Sequence, residues 1–188
     1  LWRSDGTGPG TTLVKDINPG PDSSVAGEMS VTTSGVYFRA CEATTGCELW
    51  RSDGTGPGTI LVKDLFPGPE TGFGFELGVL GDLFLFTADD GEHGQQLWRT
   101  DGTADGTSAL GAPWPGAGSA VTFPLGVLNE SFLFAATAAL LALSGGGSFW
   151  IVEIKSSIAD FRADWKWRDY WEYCDRLYFA IPPDMPQE

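Results

Sequence analysis

The sequence predicts a mainly β protein, in which a propeller-like array of about three four-stranded antiparallel units precedes a small βαβ fragment. Three observations support this fold class: a repeat every 48 residues, short strand-like runs within each repeat, and a change of pattern near residue 137. The repeat is visible as LWRSDGT at residues 1–7 and 49–55, and as LWRTDGT at residues 97–103. A fixed period of this size indicates stacked copies of one small unit.

Each period contains four short runs that we expect to be strands. In the first period they cover residues 11–16, 27–33, 36–40 and 48–51. These runs are rich in β-branched or aromatic residues, are bounded by Gly, Pro, Asp or Ser, and are too short for helices. Four strands per unit is typical of a propeller blade. In the second period, residues 83–86 (LFLF) are apolar on both faces, which predicts an inner strand between neighbouring units.

The repeat loses its phase after about residue 137. A fourth Leu-Trp pair is due at positions 145 and 146, where the sequence has Gly145 and Gly146. The pattern then changes to a strand at 149–155, a helix at 156–173 and a strand at 176–181. A strand, helix and strand in succession indicate a βαβ unit, whose two strands pair in parallel. We therefore predict two domains, covering residues 1–137 and 138–188.

The chain is acidic, and most of the acidity lies in the repeats. The formal net charge is −14; residues 1–137 carry six basic and seventeen acidic side chains, whereas residues 138–188 carry five and eight. Nucleic-acid binders usually present a basic patch, so the repeats are predicted to be poor DNA binders. No apolar run approaches the roughly 18 residues of a membrane helix, and no membrane span is predicted.

Three cysteines raise the question of a disulfide. Cys41 and Cys47 flank a short polar stretch between two apolar runs, so they can face each other across the neck of a hairpin loop. The alternative is a pair of small packing side chains, because Asp89 and Gln95 take these positions in the second repeat. Cys174 stands alone in the sequence. With one histidine in the chain and no Cys or His cluster, a zinc site is not expected.

The repeated Asp-Gly-Thr loops place Asp5, Asp53 and Asp101 at equivalent positions. Carboxylate and carbonyl oxygens are the ligands of Ca²⁺, which takes six to eight of them. These loops are therefore candidates for calcium binding. The alternative is that each aspartate caps its own turn, a role that needs no metal.

One large aromatic side chain also recurs in phase, at Trp2, Trp50 and Trp98. Such a residue buries much apolar area, and we expect these three to form the core between successive units. The alternative is a ladder of rings that binds carbohydrate, or a calcium-dependent adhesion surface.

These motifs, and the repeated LVKD and Pro-Gly segments, resemble the ELWxxDGT repeat family of bacterial surface and secreted proteins. The resemblance covers residues 1–137. It implies a β-rich array at the cell surface or outside the cell, with a structural or binding role toward a protein or glycan. It implies no catalytic residues.

The predicted strand at 149–155 carries Glu153 and Lys155, which share one face because they are two residues apart. An acidic and a basic side chain at the end of a buried strand are typical of metal-dependent phosphodiesterases, in which the carboxylate holds a divalent cation. The alternative is an exposed salt-bridged pair.

The longer string WIVEIKSSIADFRADWKWRDYWEYCDRLYFAIPPDMP, at residues 150–186, resembles the MmcB-like DNA-repair family, whose fold resembles the PD-(D/E)xK nucleases of the restriction-endonuclease type. The resemblance implies that Glu153 and Lys155 are the ExK half of the catalytic motif and that Glu153 holds Mg²⁺. It also implies DNA as the partner of this module, and a cytoplasmic location. The residues that it places in the family's helix, or that we predict to contact DNA, are Asp160, Arg162, Asp164, Lys166, Trp167 and Arg168.

One element of the nuclease pattern is missing. The family pattern has an aspartate at the end of the preceding strand, where this sequence has Ala138 and Ala139. No acid occurs between Glu130 and Glu153, so Mg²⁺ would have one carboxylate, and we expect its binding to be poor.

Two functions follow from these patterns. The preferred hypothesis is a chimeric, non-enzymatic repeat protein that carries a truncated and inactive nuclease-like fragment. The second is a DNA-repair protein that binds or cleaves DNA through Glu153 and Lys155, as a Mg²⁺-dependent deoxyribonuclease. Purified protein that neither binds nor cuts DNA with Mg²⁺ or Mn²⁺ would exclude the second hypothesis.

Overall fold

The structure is a computed structural model that describes residues 1–110, 123–128, 131–136, 139–144, 148–154 and 174–180. The chain divides into two compact units, Leu1–Ala109 and Leu110–Glu188. The described residues form fifteen strands in several sheets and no helix, so the mainly β class is confirmed. None of them belongs to a helix that could cross a membrane.

The first unit consists of three antiparallel sheets that follow one another along the chain. β1 and β2 form a two-stranded sheet, β3 to β6 a four-stranded sheet in sequence order, and β7 to β10 another. The four-stranded antiparallel unit predicted from the repeat is confirmed twice. No closed sheet occurs among the described residues, and the propeller arrangement stays a prediction. The bounds are β1 Trp2–Arg3, β2 Thr12–Leu13, β3 Gly27–Thr32, β4 Gly35–Glu42, β5 Gly46–Ser52, β6 Ile60–Lys63, β7 Phe73–Leu80, β8 Leu83–Asp89, β9 Gln95–Thr100 and β10 Ser108–Ala109.

The three sheets pack face to face. One cluster of buried side chains joins the second sheet, through residues such as Tyr37 and Leu49, to the third sheet, through Phe84 and Phe86. Tyr37 and Phe84 stack across this boundary with ring centroids 5.0 Å apart. Strand β8 is buried on both faces, as its apolar sequence predicts. Phe84 and Phe86 are buried on one face, and Leu85 is fully buried on the other.

A second cluster joins the first sheet to the second. It contains Ile17, Phe38, Ala40 and Trp50, with Leu1 packed against them. The two clusters lie on opposite faces of the second sheet, because Tyr37 and Phe38 are consecutive in β4 and neighbouring strand residues point to opposite faces. The second sheet is therefore covered on one face by the first sheet and on the other by the third.

The predicted tryptophan core is confirmed at two positions and wrong at the third. Trp50 and Trp98 are buried, with 4% and 7% of their surface exposed, whereas Trp2 is 64% exposed. Trp50 packs against the preceding sheet, and so does Trp98. Trp2 lies in the first sheet, and no sheet of the described residues covers its face. Because Trp50 and Trp98 are internal, the three rings do not form an exposed ladder.

Cys41 and Cys47 are directly opposite each other in β4 and β5. The structure joins them in a disulfide. Strand β5 begins at Gly46, which has a φ of 69°, a conformation that favours glycine, and a Cβ added there would overlap the backbone oxygen of Glu70. Position 46, next to the cysteine pair, therefore requires glycine, because the backbone of residue 70 lies too close for a side chain.

The second unit is a five-stranded sheet in the order β11-β12-β13-β14-β15. β11 to β14 pair antiparallel, and β14 pairs with β15 in parallel. The two strands predicted around the terminal helix and their parallel pairing are thus confirmed. The helix itself, predicted at 156–173, lies outside the described residues. The bounds are β11 Phe123–Leu128, β12 Ser131–Ala136, β13 Ala139–Ser144, β14 Phe149–Ile154 and β15 Arg176–Ala180.

The end of the sequence repeat and the boundary between the two structural units lie at different positions in the chain. The stretch FPLGVL at residues 123–128 repeats FELGVL at 75–80, so β11 keeps the phase of the repeats. It nevertheless shares a sheet with β13 to β15, and the contacts divide the chain after Ala109. Residue 137, where we predicted the boundary, lies between β12 and β13 and outside the described residues. The domain limits 1–137 and 138–188 stay a prediction.

Candidate functional site

The parallel pair β14 and β15 brings together two aromatic rings and one arginine, which we call the aromatic–arginine cluster: Trp150, Arg176 and Tyr178. Trp150 is the register partner of Arg176. The guanidinium carbon of Arg176 lies 5.6 Å from the centroid of the Trp150 ring, which is a cation–π distance. The rings of Trp150 and Tyr178 meet edge to face, with centroids 6.0 Å apart.

Strand alternation explains why these three side chains share a surface. Arg176 and Tyr178 are two residues apart in β15 and lie on one face, together with the partner residue Trp150. Ile151, the next residue in β14, points to the other face and is buried. Arg176 and Tyr178 are exposed, with Tyr178 at 42%. In the strand RLYFA, Leu177 and Phe179 therefore lie on the less exposed face of β15. Arg176 and Tyr178 form an aromatic and cationic face that is open to solvent.

Electrostatics keep the cluster positively charged. The guanidinium of Arg176 donates a hydrogen bond from Nη1 to the Tyr178 hydroxyl oxygen at 3.3 Å. This bond, and then electrostatic attraction to Tyr178 and to the carboxylate of Asp175, raise the pKa of Arg176. The preceding Cys174 is partly buried, and this burial raises the pKa of its thiol. The guanidinium of Arg176 is therefore protonated throughout the physiological pH range, and it is the one positive charge of the cluster, beside the carboxylate of Asp175.

The predicted nuclease residues are only partly described. Glu153 lies in β14, opposite Phe179 of β15. Lys155, Arg162, Lys166 and Arg168 lie outside the described residues, as do Asp160, Asp164 and Trp167. Sequence reasoning did not identify the aromatic–arginine cluster. The spacing R-x-Y in a strand next to a second strand that carries Trp was the signal that could have indicated it.

The register also locates the missing carboxylate. Leu140 pairs with Val152, so Ala139, the preceding residue of β13, is the next position of the ladder, beside Glu153. An acid at Ala139 would therefore neighbour Glu153 in the sheet, and the catalytic role of this position stays a prediction from the resemblance. No group of three or more metal-binding side chains occurs among the described residues. A single carboxylate leaves most of the near-octahedral coordination of Mg²⁺ to water, backbone and phosphate oxygens.

The Asp-Gly-Thr loops have the geometry of self-capped turns. Oδ1 of Asp53 accepts hydrogen bonds from the backbone N–H of Thr55 at 2.8 Å and from the Thr55 hydroxyl at 2.7 Å. Asp5 and Asp101 do the same with Thr7 and Thr103. These bonds lower the pKa of all three carboxyls, with the threonine hydroxyl as the first cause. This geometry matches the capping alternative, and calcium binding stays a prediction.

A buried carboxylate that the sequence did not reveal holds the second sheet to the following loop. Glu48 is fully buried in β5 and accepts hydrogen bonds from the backbone N–H groups of Gly72 at 2.9 Å and Leu65 at 3.3 Å. Burial raises the pKa of Glu48 to about 7, against the opposing effect of these bonds. The corresponding residue of the next repeat is Gln96, which is also buried. The repeat has Glu48 in one copy and Gln96 at the same position of the next, and this exchange could have indicated a buried polar side chain.

Comparison with known proteins adds one observation to this geometry. Residues 121–188 match the family model of DNA repair protein MmcB-like. The match begins before β11 and includes all five strands of the second unit's sheet. The MmcB-like resemblance of the terminal segment is thus confirmed, and it extends further toward the repeats than the sequence motifs indicated.

The remaining comparisons give no further relative. No curated protein and no solved structure matches the chain. The resemblance of residues 1–137 to the ELWxxDGT family receives no support from these comparisons and stays a prediction. Residues 121–188 are therefore similar to an MmcB-like DNA-repair domain, and residues 1–109 form a unit of repeated sheets.

Proposed function

We propose that the second unit, which we call the MmcB-like unit because its residues 121–188 match that family model, binds single-stranded DNA through the aromatic–arginine cluster and does not cleave it. The observation that carries the proposal is the cluster itself: an exposed ring and a guanidinium on one face of a sheet that matches a DNA-repair family model. Nucleobases stack on aromatic side chains and on guanidinium planes, and proteins that bind single strands combine such stacking surfaces with positive charge.

Single strands suit this surface better than duplex DNA. In a duplex the base faces are covered by their neighbours, and only base edges and phosphates are accessible. Tyr178 offers a ring face, and Arg176 offers one charge for a phosphate or a second stacking plane. The overall charge of −14 opposes any polyanion, so we expect affinity to be moderate and to decline steeply as salt is added.

We propose binding without cleavage because the described part of the sheet supplies no second carboxylate beside Glu153. Ala139 occupies the neighbouring position where a second carboxylate would hold the metal. Cleavage through Glu153 and Lys155 with Mg²⁺ remains the alternative, and a nicking assay with Mg²⁺ or Mn²⁺ distinguishes the two. In that assay we expect intact DNA.

For the first unit we propose a non-enzymatic, structural role. Its described residues form a stack of sheets, and the Asp-Gly-Thr loops use their carboxylates within their own turns. We propose that the partner of this unit is a protein or a glycan and that the unit lies at the cell surface or outside the cell. For the MmcB-like unit we propose a cytoplasmic location.

The test is DNA binding by the full chain, measured as the fluorescence anisotropy of a labelled oligothymidylate at low salt. Replacing Tyr178 with alanine is expected to weaken binding by about 1–3 kcal/mol, the range for one stacked base. Arg176→Ala is expected to weaken binding and to reduce the salt dependence by about one released ion. Arg3→Ala, which removes an exposed arginine from the first unit, is the matched control and should leave the affinity unchanged.

Two results would count against the proposal. Absence of binding by the unaltered chain at low salt would exclude DNA as the ligand. Binding that is equally strong in the Arg176, Tyr178 and Arg3 variants would place the DNA contact elsewhere in the chain.

A further inference from the structure

The hairpin between β4 and β5 is closed at its neck by the disulfide of Cys41 and Cys47, and we call residues 41–47 the cystine hairpin. Both cysteine side chains are half-buried, and the tip of the hairpin, at Ala43 and Thr44, is exposed. Thiol–disulfide exchange requires that an external thiol can approach one of the two sulfurs. The disulfide is therefore within reach of a reductant from solution.

The β5 side of the cystine hairpin contacts the loop 64–72, which leads to the third sheet. Gly46 lies so close to the backbone oxygen of Glu70 that no side chain fits between them. Two residues further along β5, the buried carboxylate of Glu48 accepts hydrogen bonds from backbone N–H groups at both ends of the loop. The start of β5 therefore holds this loop at its beginning, near its middle and at its end.

The equivalent hairpin of the next repeat has no disulfide and keeps the same backbone contacts. Asp89 and Gln95 take the positions of the two cysteines and are directly opposite each other in β8 and β9. The N–H of Asp89 donates to the carbonyl oxygen of Gly72 at 2.8 Å, as the N–H of Cys41 donates to that of Ser24 at 2.8 Å. A hairpin of this kind therefore pairs, and holds the loop that precedes its sheet, without a sulfur–sulfur bond. The bond also closes a short segment, so it constrains the unfolded chain less than a bond across a long loop.

Reduction changes the width of the hairpin neck. Two bonded sulfurs lie closer together than two thiol groups can, because thiols must separate to van der Waals distance. The neck has no spare room on the β5 side, where Gly46 already touches the backbone of Glu70. Widening of the neck therefore displaces the loop 64–72 from its contact with the hairpin.

We infer that the cystine hairpin is a redox switch, whose reduced form loosens the loop 64–72 while the sheets stay folded. A dithiol supplies the electrons. One of its thiolates attacks a sulfur of the pair, the sulfur–sulfur bond breaks, and the other cysteine leaves as a thiolate that takes a proton. The second thiolate of the reductant then attacks the reductant's own bound sulfur and releases the second cysteine. Two electrons and two protons have passed to Cys41 and Cys47, and the reductant has become a disulfide.

The state of this switch depends on the compartment. Oxidising surroundings outside the cell preserve the bond, whereas the thiol pool of a cytoplasm opens it. Leu65, in the loop 64–72, belongs to the buried cluster that joins the second sheet to the third. The boundary between these two sheets is therefore stiffer in an oxidising compartment than in a reducing one.

The experiment compares native-state hydrogen exchange of the full chain, followed by peptide mass spectrometry, before and after incubation with dithiothreitol. Thiol alkylation and intact mass show whether the Cys41–Cys47 bond is present in each sample. We expect the amides of residues 64–72 to exchange about tenfold faster after reduction, whereas β8 and β9 keep their protection.

The matched control carries Cys41→Asp and Cys47→Gln, which copies the residue pair of the next repeat and retains Cys174. We expect its exchange to be the same with and without dithiothreitol, because no bond is left to reduce. A response of this control equal to that of the unaltered chain would assign the effect to Cys174 and would contradict the inference.

Three further outcomes would overturn it. One is unchanged exchange of residues 64–72 in protein whose bond has been reduced. Another is exchange that rises equally in all peptides of the first unit, which would make the disulfide a structural cross-link. The last is a folded protein whose bond is absent after air oxidation or resists dithiothreitol.

Discussion

Replacing Phe86 with alanine is expected to lower the free energy of unfolding of the first unit by about 3–5 kcal/mol. Phe86 is fully buried in β8, and its ring lies 5.5 Å from Phe73, 5.8 Å from Phe84 and 6.4 Å from Trp98, measured between centroids. Truncation removes the centre of the cluster that joins the second and third sheets, and the rigid sheets on either side cannot close the cavity.

The measurement is a urea titration followed by pulsed hydrogen exchange and mass spectrometry, because peptide masses report each unit separately. Phe75→Ala is the matched control, since the ring of Phe75 is 63% exposed on the neighbouring strand β7. We expect this control to change the unfolding free energy by less than about 0.5 kcal/mol. Equal effects of the two substitutions would contradict the face-to-face packing of the sheets.

The first unit is expected to lose stability as the pH rises from about 4.5 to 7, because of Glu48. Its pKa in the folded state is raised to about 7, whereas the reference value is 4.5. The folded state therefore holds a proton that the unfolded state releases in this window. The stabilising contribution is complete below about pH 4.5 and is lost as the pH rises through 7, with a total of about 3 kcal/mol.

Glu48→Gln isolates this contribution, because glutamine already occupies the equivalent buried position at Gln96. We expect the variant to resemble the unaltered chain near pH 4.5 and to exceed it in unfolding free energy near pH 8. His93, whose pKa is raised by Asp90, changes stability in the same direction, but it is present in both chains and cancels in the difference. A difference that stays constant between pH 4.5 and 8 would show that Glu48 is ionised throughout in the folded state.

Local patterns predicted the strands well. The 48-residue period, the alternation of apolar residues and the turn glycines predicted β3 to β5 to within a few residues. The strand, helix and strand pattern correctly predicted the parallel pairing of β14 and β15. These features depend on neighbouring residues, whose backbone preferences and face alternation are visible in the sequence itself.

Interactions between distant residues were harder to predict. Glu48 contacts the backbone of residues 65 to 72, and Lys15 reaches Thr59, which requires knowledge of how the sheets stack. The burial expected for Trp2 was wrong for the same reason, because burial depends on whether a neighbouring sheet is present. The continuation of one sheet from β11 to β15 was also not visible, since the repeat phase and the family match overlap there.

The central claim is that DNA contacts the aromatic–arginine cluster of the MmcB-like unit and not the repeated sheets. Ultraviolet cross-linking of an oligothymidylate to the full chain, followed by peptide mass spectrometry, tests this claim most directly. We predict adducts on the peptides that contain Trp150 or Tyr178. Adducts confined to the first unit, such as on the exposed Trp2, would contradict the claim.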